Sequence, residues 1–193
     1  MAALATPAEL AALLKQDVDT ASATQALDHA SAAVRSWTRQ YLEAKTYTGV
    51  KLLIEPIGRT WGVRLPERPV TAVAAVAVNG VTYVQGTDWA WNGLSPWIRL
   101  AKRDWTTATF QDDPVATVTY TAGLATIPDE VKGVVLACAA REYNNPTGLR
   151  SFSIDDHTEG YAGADTDLAG VSLLPGEKRL LRRYRLNATT VRT

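Results

Sequence analysis

The 193 residues fit one domain with room for an extension, and they suffice to bury a sizeable core. Twenty basic and twenty acidic residues cancel, which excludes a global field that would recruit nucleic acid or an anionic membrane. No apolar run approaches a membrane span, no leader pattern opens the chain and the lone Cys138 excludes an internal disulfide, so a soluble protein of a reducing compartment is expected.

In chain order, Thr6-Pro7-Ala8-Glu9 predicts a helix start: Thr6 caps, Pro7 fits the first helical position and Glu9 completes a capping box, for a helix over 7–16. A second helix is expected over 20–42. In it Ala23, Leu27, Ala30, Val34, Trp37 and Tyr41 recur at three- and four-residue steps, a face of small residues that lets another helix approach. Residues 46–121 change character. Val50–Ile54, ended by Pro56, Trp61–Leu65, Val73–Val78, Val81–Tyr83, Trp89–Trp91 and Ile98–Leu100 read as strands, and Asn79-Gly80 is a strong hairpin signal because a type I′ turn needs φ > 0 at both central residues. Five of the six tryptophans fall here, Trp61, Trp89, Trp91, Trp97 and Trp105, so a small antiparallel sheet inserted between two helices is expected.

The stretch Val115–Thr147 joins a strand to a helix. Val115, Thr117, Thr119 and Thr121 alternate with Ala116, Val118 and Tyr120; Gly123 lets the chain turn; Pro128, Asp129 and Glu130 open a helix over 128–143; Val131, Val134, Val135 and Cys138 form its apolar face; and Asn144-Asn145-Pro146 ends it. Cys138 on that face reads as a small buried hydrophobe. Residues 148–171 have no period of their own and read as a long loop. A last helix is expected over 175–185, with Leu180, Leu181 and Tyr184 as its apolar side, followed by a tail over 186–193. The fold class expected is therefore α+β: a bundle of about four helices, an antiparallel sheet or hairpin insertion between the second and third long helices, and an extended C-terminal tail, all in a single domain.

Charge is unevenly spread. Ser151–Gly170 holds five acidic residues, Asp155, Asp156, Glu159, Asp165 and Asp167, and no Lys or Arg; Gly176–Thr193 holds six basic residues, Lys178, Arg179, Arg182, Arg183, Arg185 and Arg192, against Glu177 alone. Such asymmetry suggests contacts between segments or between chains. Chemistry, in contrast, has no constellation to work with. His29 and His157 lack metal-ligand spacing, and Asp155-Asp156-His157-Thr158-Glu159 matches neither an EF-hand loop nor a zinc set and reads as a solvated loop. The pairs Asp112-Asp113 and Asp129-Glu130 are explained by turns and caps beside Pro114 and Pro128, and no nucleophile elbow or phosphate-binding glycine loop is present. No enzyme, cofactor or metal is expected.

The motif order is an Ala-rich helix ending in AAVRSWTRQY, then PVTAVAAVAVNGVTY, DWAWNG, VTYTAGLATIPDEVKGVVLACAAREYNNPTG and LLPGEKRLLRRYR. It resembles the head-to-tail connector (adaptor, or head-completion) proteins of long-tailed bacteriophages. The YTAG…Pro-Asp-Glu-Val junction with its Asn-Pro ending is the most specific part, and the resemblance covers roughly Thr6 to Arg185. It implies a homo-oligomeric ring, usually of twelve subunits, beneath the portal vertex in the neck of the virion. DNA passes through its lumen without sequence-specific binding, a stopper or tail-completion protein docks on the far side, no membrane is involved, and assembly takes place in the host cytoplasm. Candidate portal-docking residues are Lys178, Arg179, Leu181, Arg182, Arg183, Tyr184 and Arg185; candidate ring-interface residues are Asp155, Asp156, Glu159, Arg35 and Arg39. Two readings from other classes stand beside it. One is a small DNA-binding module that uses the basic last helix; the other is a carbohydrate-binding accessory protein that uses the Trp-rich sheet.

Overall fold

The computed structural model describes residues 3–93, 95–101, 114–146, 151–154, 157–160 and 172–186, those between 151 and 160 by their backbone only. Trp105 and the pair Asp112-Asp113 lie outside the described residues. Contacts divide the chain into a helical unit, Met1–Gln40 with Ile127–Thr193, and a sheet unit, Tyr41–Thr126. The boundary after Thr126 falls inside the strand-to-helix junction.

In the helical unit, α1 (Pro7–Leu14) is opened by the expected capping box: Glu9 N–H donates to Thr6 Oγ1 at 3.3 Å and Thr6 N–H to Glu9 Oε2 at 2.8 Å. Glu9 also accepts from Lys132 Nζ at 2.9 Å, which ties α1 to α3 (Asp129–Asn144). The lysine, then the Thr6 backbone, hold the Glu9 carboxyl below its ordinary range. α2 (Thr20–Thr38) is capped by Asp19, whose side chain accepts from Ser22 N–H. It packs against α3, and Ala23, Leu27, Ala30 and Val34 of the one and Val131, Val134, Val135 and Cys138 of the other are all buried. Burial pushes the Cys138 thiol up to about 11, so it is a packing group rather than a nucleophile. α4 (Pro175–Leu181) continues as a 3-10 turn over Arg182–Tyr184.

Three helix limits differ from the sequence reading. α2 stops at Thr38, not near Tyr41, because Arg39 takes a left-handed φ of 61° and its N–H closes on Arg35 O, an αL ending. Pro128 is the N-cap of α3 rather than its first residue. α4 is shorter than expected, its last turn tightened to the 3-10 form. The supposed loop over 148–171 is also corrected in part: β8 (Ser151–Ile154) pairs antiparallel with β9 (His157–Gly160). The Ser-Phe-Ser-Ile alternation carries a period of two that is too short to stand out.

The sheet unit holds β1 (Lys45–Ile57), β2 (Thr60–Arg64), β3 (Val70–Val78), β4 (Val81–Tyr83), β5 (Trp89–Ala90), β6 (Trp97–Leu100) and β7 (Val115–Ala122). They form one seven-stranded antiparallel sheet in the order β4-β3-β7-β1-β2-β6-β5, larger than the small hairpin insertion expected. Asn79 (φ 50°) and Gly80 (φ 79°) make the two-residue turn between β3 and β4, as their sequence indicated. β7 buries Ala116, Val118, Tyr120 and Ala122 on alternate positions.

β1 is the long strand that joins the two halves of the sheet: 45–53 pair with β7 and 54–57 with β2. It runs through Pro56, where the sequence suggested an end. The reason is direction. Ile54 N–H donates to Pro114 O at 2.8 Å on the β7 side, so the nitrogen of Pro56, two residues on, faces the same side beyond the start of β7 and removes no ladder bond.

Candidate functional site

The basic segment after α4 is partly spent on holding the helical unit together. Leu181 is fully buried in the core, and Leu180, 56% exposed, is the apolar side chain that α4 offers outward. Tyr184 donates its hydroxyl to Glu130, Arg183 pairs with the same carboxylate, and Arg183 Nη2 donates to Tyr184 Oη at 2.7 Å. That leaves Lys178, Arg179, Arg182 and Arg185 as exposed cations of the predicted docking set.

The root of α4 is fixed to α3 by one carboxylate. Glu177, 9% exposed, accepts from Arg141 Nη1 at 2.6 Å and Nη2 at 2.9 Å, a bidentate pair, and from Leu174 N–H at 2.8 Å at the helix start. Arg141 Nη2 reaches Ser172 O as well, at 3.3 Å. Nothing in the sequence singled out Glu177, although its position three residues after Leu174 is the capping-box spacing.

At the other end of this segment, Leu186 N–H donates to Thr38 O at 2.9 Å and the Gln40 side-chain amide donates to Tyr184 O. The Arg185 guanidinium lies 5.1 Å from the centroid of the Trp37 ring. The structure therefore brings Arg39 and Arg185, candidates for two different interfaces, to one end of the unit. It separates Arg39 from Arg35, which is 9% exposed and buried within α2. Arg39 holds a backbone conformation that favours glycine. Arg39→Gly is expected to raise the stability of the helical unit by about 0.5–1 kcal/mol, read as a higher melting temperature by circular dichroism. Of the acidic candidates, Glu159 lies in β9 opposite Phe152, and Asp155 and Asp156, between the paired strands, are outside the described residues.

Two of the tryptophans are engaged within the sheet unit itself. Trp89 is buried and gives its indole N–H to Tyr83 O at 3.1 Å, and Trp91 gives its own to Ser95 O at 2.7 Å. A different cluster emerges instead. Tyr47 stacks on Tyr120 across β1 and β7, centroids 5.0 Å apart, and Lys45 Nζ sits 4.7 Å above Tyr41. Glu67 accepts from Tyr41 N–H at 3.4 Å beside them. Burial pushes the Tyr120 hydroxyl up to about 12 and holds the Glu67 carboxyl above its ordinary range. For a carboxyl raised in the fold, protonation favours folding: its contribution is present below the unfolded value and lost as pH rises through the folded one. Glu67→Gln is therefore expected to flatten the pH dependence of the sheet unit above pH ~4, with the variant gaining on the wild type toward neutrality, measured by urea titration at a series of pH values. Among the described residues, no group of three or more His, Cys, Asp or Glu could hold a metal ion.

No protein-family model matches the chain, and no curated protein is similar to it. Solved structures are. The chain is similar to a chain in the neck of an empty gene transfer agent particle computed with C6 symmetry, at 20% identity and TM-score 0.58 over 98% of this chain and 94% of that one. It is also similar to one in the neck of the native particle computed with C12 symmetry, at 20% identity and TM-score 0.51 over 98% and 96%. A third likeness is to a chain of the native gene transfer agent virion, at 19% identity and TM-score 0.55 over 98% and 96%. At these identities the likeness is one of fold, and it runs through both units: the chain has the fold of proteins found in the necks and virions of gene transfer agent particles.

Proposed function

We propose that this chain acts as one structural connector subunit in the neck of a tailed, phage-like particle, where copies form a ring beneath the portal, join the capsid to a stopper or tail-completion protein and leave DNA a passage. The observation that carries the reading is the fold likeness over 98% of the chain to neck proteins, whose particles were computed with C6 and C12 symmetry. The role is structural rather than catalytic: the buried Cys138 and the raised Glu67 are explained by packing. In this reading Lys178, Arg179 and the exposed Leu180 of α4 dock on the portal, arginine and lysine meeting carboxylates there.

Electron microscopy of purified particle necks, or of this protein mixed with its portal, tests the proposal. Closed rings at the neck are expected; a protein absent from the neck and monomeric beside portal overturns it. The DNA-binding alternative makes a separate demand. Three exposed arginines on phosphates give log K falling against log salt with a slope of about −3, and no duplex binding at low salt removes that reading.

A further inference from the structure

The outer face of β2 and β6 gathers arginine, tryptophan and leucine on one rigid piece of sheet. The strands pair as Gly62↔Arg99, Val63↔Ile98 and Arg64↔Trp97, and Val63 and Ile98 are fully buried in the core. Side chains alternate along a strand, so Arg64, Trp97 and Arg99 share the opposite face. Arg99 is exposed and stands between two small neighbours, Gly62 on β2 and Ala90 on β5. The Arg64 guanidinium lies 5.7 Å from the centroid of the Trp97 ring. A guanidinium laid on an indole still presents its edge N–H groups, a fork that suits a carboxylate. On β1, Leu53 and Glu55 flank the inward Ile54 and so join this face; Leu53 is 47% exposed, and Glu55, opposite Gly62, is exposed too. Tryptophan and arginine are the side chains that carry much of the binding energy at protein interfaces, and Leu53 adds apolar area beside them.

The connection between α1 and α2 carries the matching pattern. Leu13, 51% exposed, is followed by Lys15, Asp17 and Asp19, all exposed. Three hydrogen bonds hold this connection in shape. Lys15 closes α1 in the left-handed form with its N–H on Ala11 O, Asp19 caps α2 through Ser22 N–H at 2.8 Å, and Asp19 N–H donates to Tyr143 Oη of α3 at 3.0 Å. The result is a preformed tip with one apolar side chain, two carboxylates and one ammonium. The sheet face holds the reverse: Leu53 and Trp97, two guanidinium groups and one carboxylate.

We propose that the α1–α2 connection of one copy seats on the outer β2–β6 face of a second copy. Leu13 meets Leu53 and Trp97, Asp17 and Asp19 meet Arg64 and Arg99, and Lys15 meets Glu55. The inference rests on the ring reading above and names the contact that joins neighbours in it. Tip and face are different parts of the chain, so the contact is heterologous: each copy gives a tip on one side and accepts one on the other, which is how rings close. Duplex DNA is the less favoured occupant of the face. Surfaces that bind it are strongly cationic, whereas here an exposed carboxylate and an exposed leucine stand beside the arginines. Exposed ion pairs of this kind are screened within about 8 Å at physiological salt, so the association weakens as salt rises.

The test uses the full chain and two variants, followed by sedimentation velocity at low and high salt. Arg64→Glu with Arg99→Glu reverses the face. Asp17→Lys with Asp19→Asn reverses the tip, and the asparagine keeps the α2 cap. Wild type is expected to self-associate with concentration, less so at high salt, and each variant alone to show a dissociation constant raised about tenfold or more. An equimolar mixture of the two variants is expected to recover association, because each copy then offers the other a complementary surface. Circular dichroism melts check that both variants fold, and Arg99→Glu alone repeats the test with the Arg64–Trp97 stack intact. Monomeric wild type at every concentration, variants that associate like wild type, or a mixture that fails to recover overturns the proposal. So does a face variant that loses binding to a short DNA duplex while self-associating as before, which would assign the face to phosphate. Rings imaged at particle necks with either variant would sink this contact and leave the ring reading standing, whereas a neck without this protein sinks the ring reading itself.

Discussion

Gly123→Ala is expected to destabilise the sheet unit by roughly 3–5 kcal/mol, enough to leave much of that unit unfolded at ambient temperature. Gly123 sits at φ 112°, outside the range an L side chain adopts without strain, and a Cβ there would run into the carbonyl of Glu43 and the amide of Ala44. Neither neighbour can yield. Gly123 N–H donates to Pro69 O at 2.9 Å, Leu124 N–H to Leu42 O at 2.7 Å and Ala44 N–H to Leu124 O at 3.0 Å, so the chain leaving β7 is laced to the chains entering β1 and β3. Gly86→Ala is the control: Gly86 has φ 84° with nothing within 4 Å of its Cβ, so it reports backbone strain without collision, about 1 kcal/mol. Urea unfolding followed by tryptophan fluorescence reads both, since Trp61, Trp89, Trp91 and Trp97 all lie in the sheet unit. Equal losses for the two variants would refute the close-approach account.

Glu177→Ala is expected to cost the helical unit about 2–4 kcal/mol. Removing one partner of a buried pair typically costs 3–5 kcal/mol because the other charge is stranded, and the 29% side-chain exposure of Arg141 lets water take up part of that charge. The same substitution leaves Leu174 N–H without its acceptor at the start of α4. The reciprocal Arg141→Met strands the more deeply buried Glu177 carboxylate and is expected to cost at least as much, whereas replacing both partners by apolar groups is expected to cost less than either single change. Far-UV circular dichroism during thermal unfolding measures all three. A loss below 1 kcal/mol for Glu177→Ala would show that α4 is held by its apolar contacts alone.

What the sequence revealed and what it hid divide along physical lines. The cap at Thr6, the Asn79-Gly80 turn and the alternation of β7 are set by residues within a few positions of each other, and each was legible. The end of α2 was not, because the helical period continues through Trp37 to Tyr41 and only the left-handed Arg39 breaks it. Pro56 misled because its effect depends on which side of β1 its nitrogen faces, a matter of tertiary pairing. At the candidate site, the basic character of 178–185 was plain, but not that Leu180 faces outward while Leu181 is core, that Arg183 is paired with Glu130, or that Arg185 meets the end of α2. Gly123 was read as a turn residue, with no sign that a second backbone passes beside it.

The two edges of the seven-stranded sheet are β4, three residues long, and β5, two residues long. A terminal strand that short gives an incoming strand few open N–H and C=O groups to zip onto, and β7, at the centre of the sheet, is paired with β1 on one side and β3 on the other. For a protein proposed to gather many copies at close quarters, short terminal strands narrow one route to the wrong polymer. Crowded sheets with long open edges would tend to run on as fibrils, whereas blunted edges leave the choice of neighbour to side chains, which can select partner and angle together.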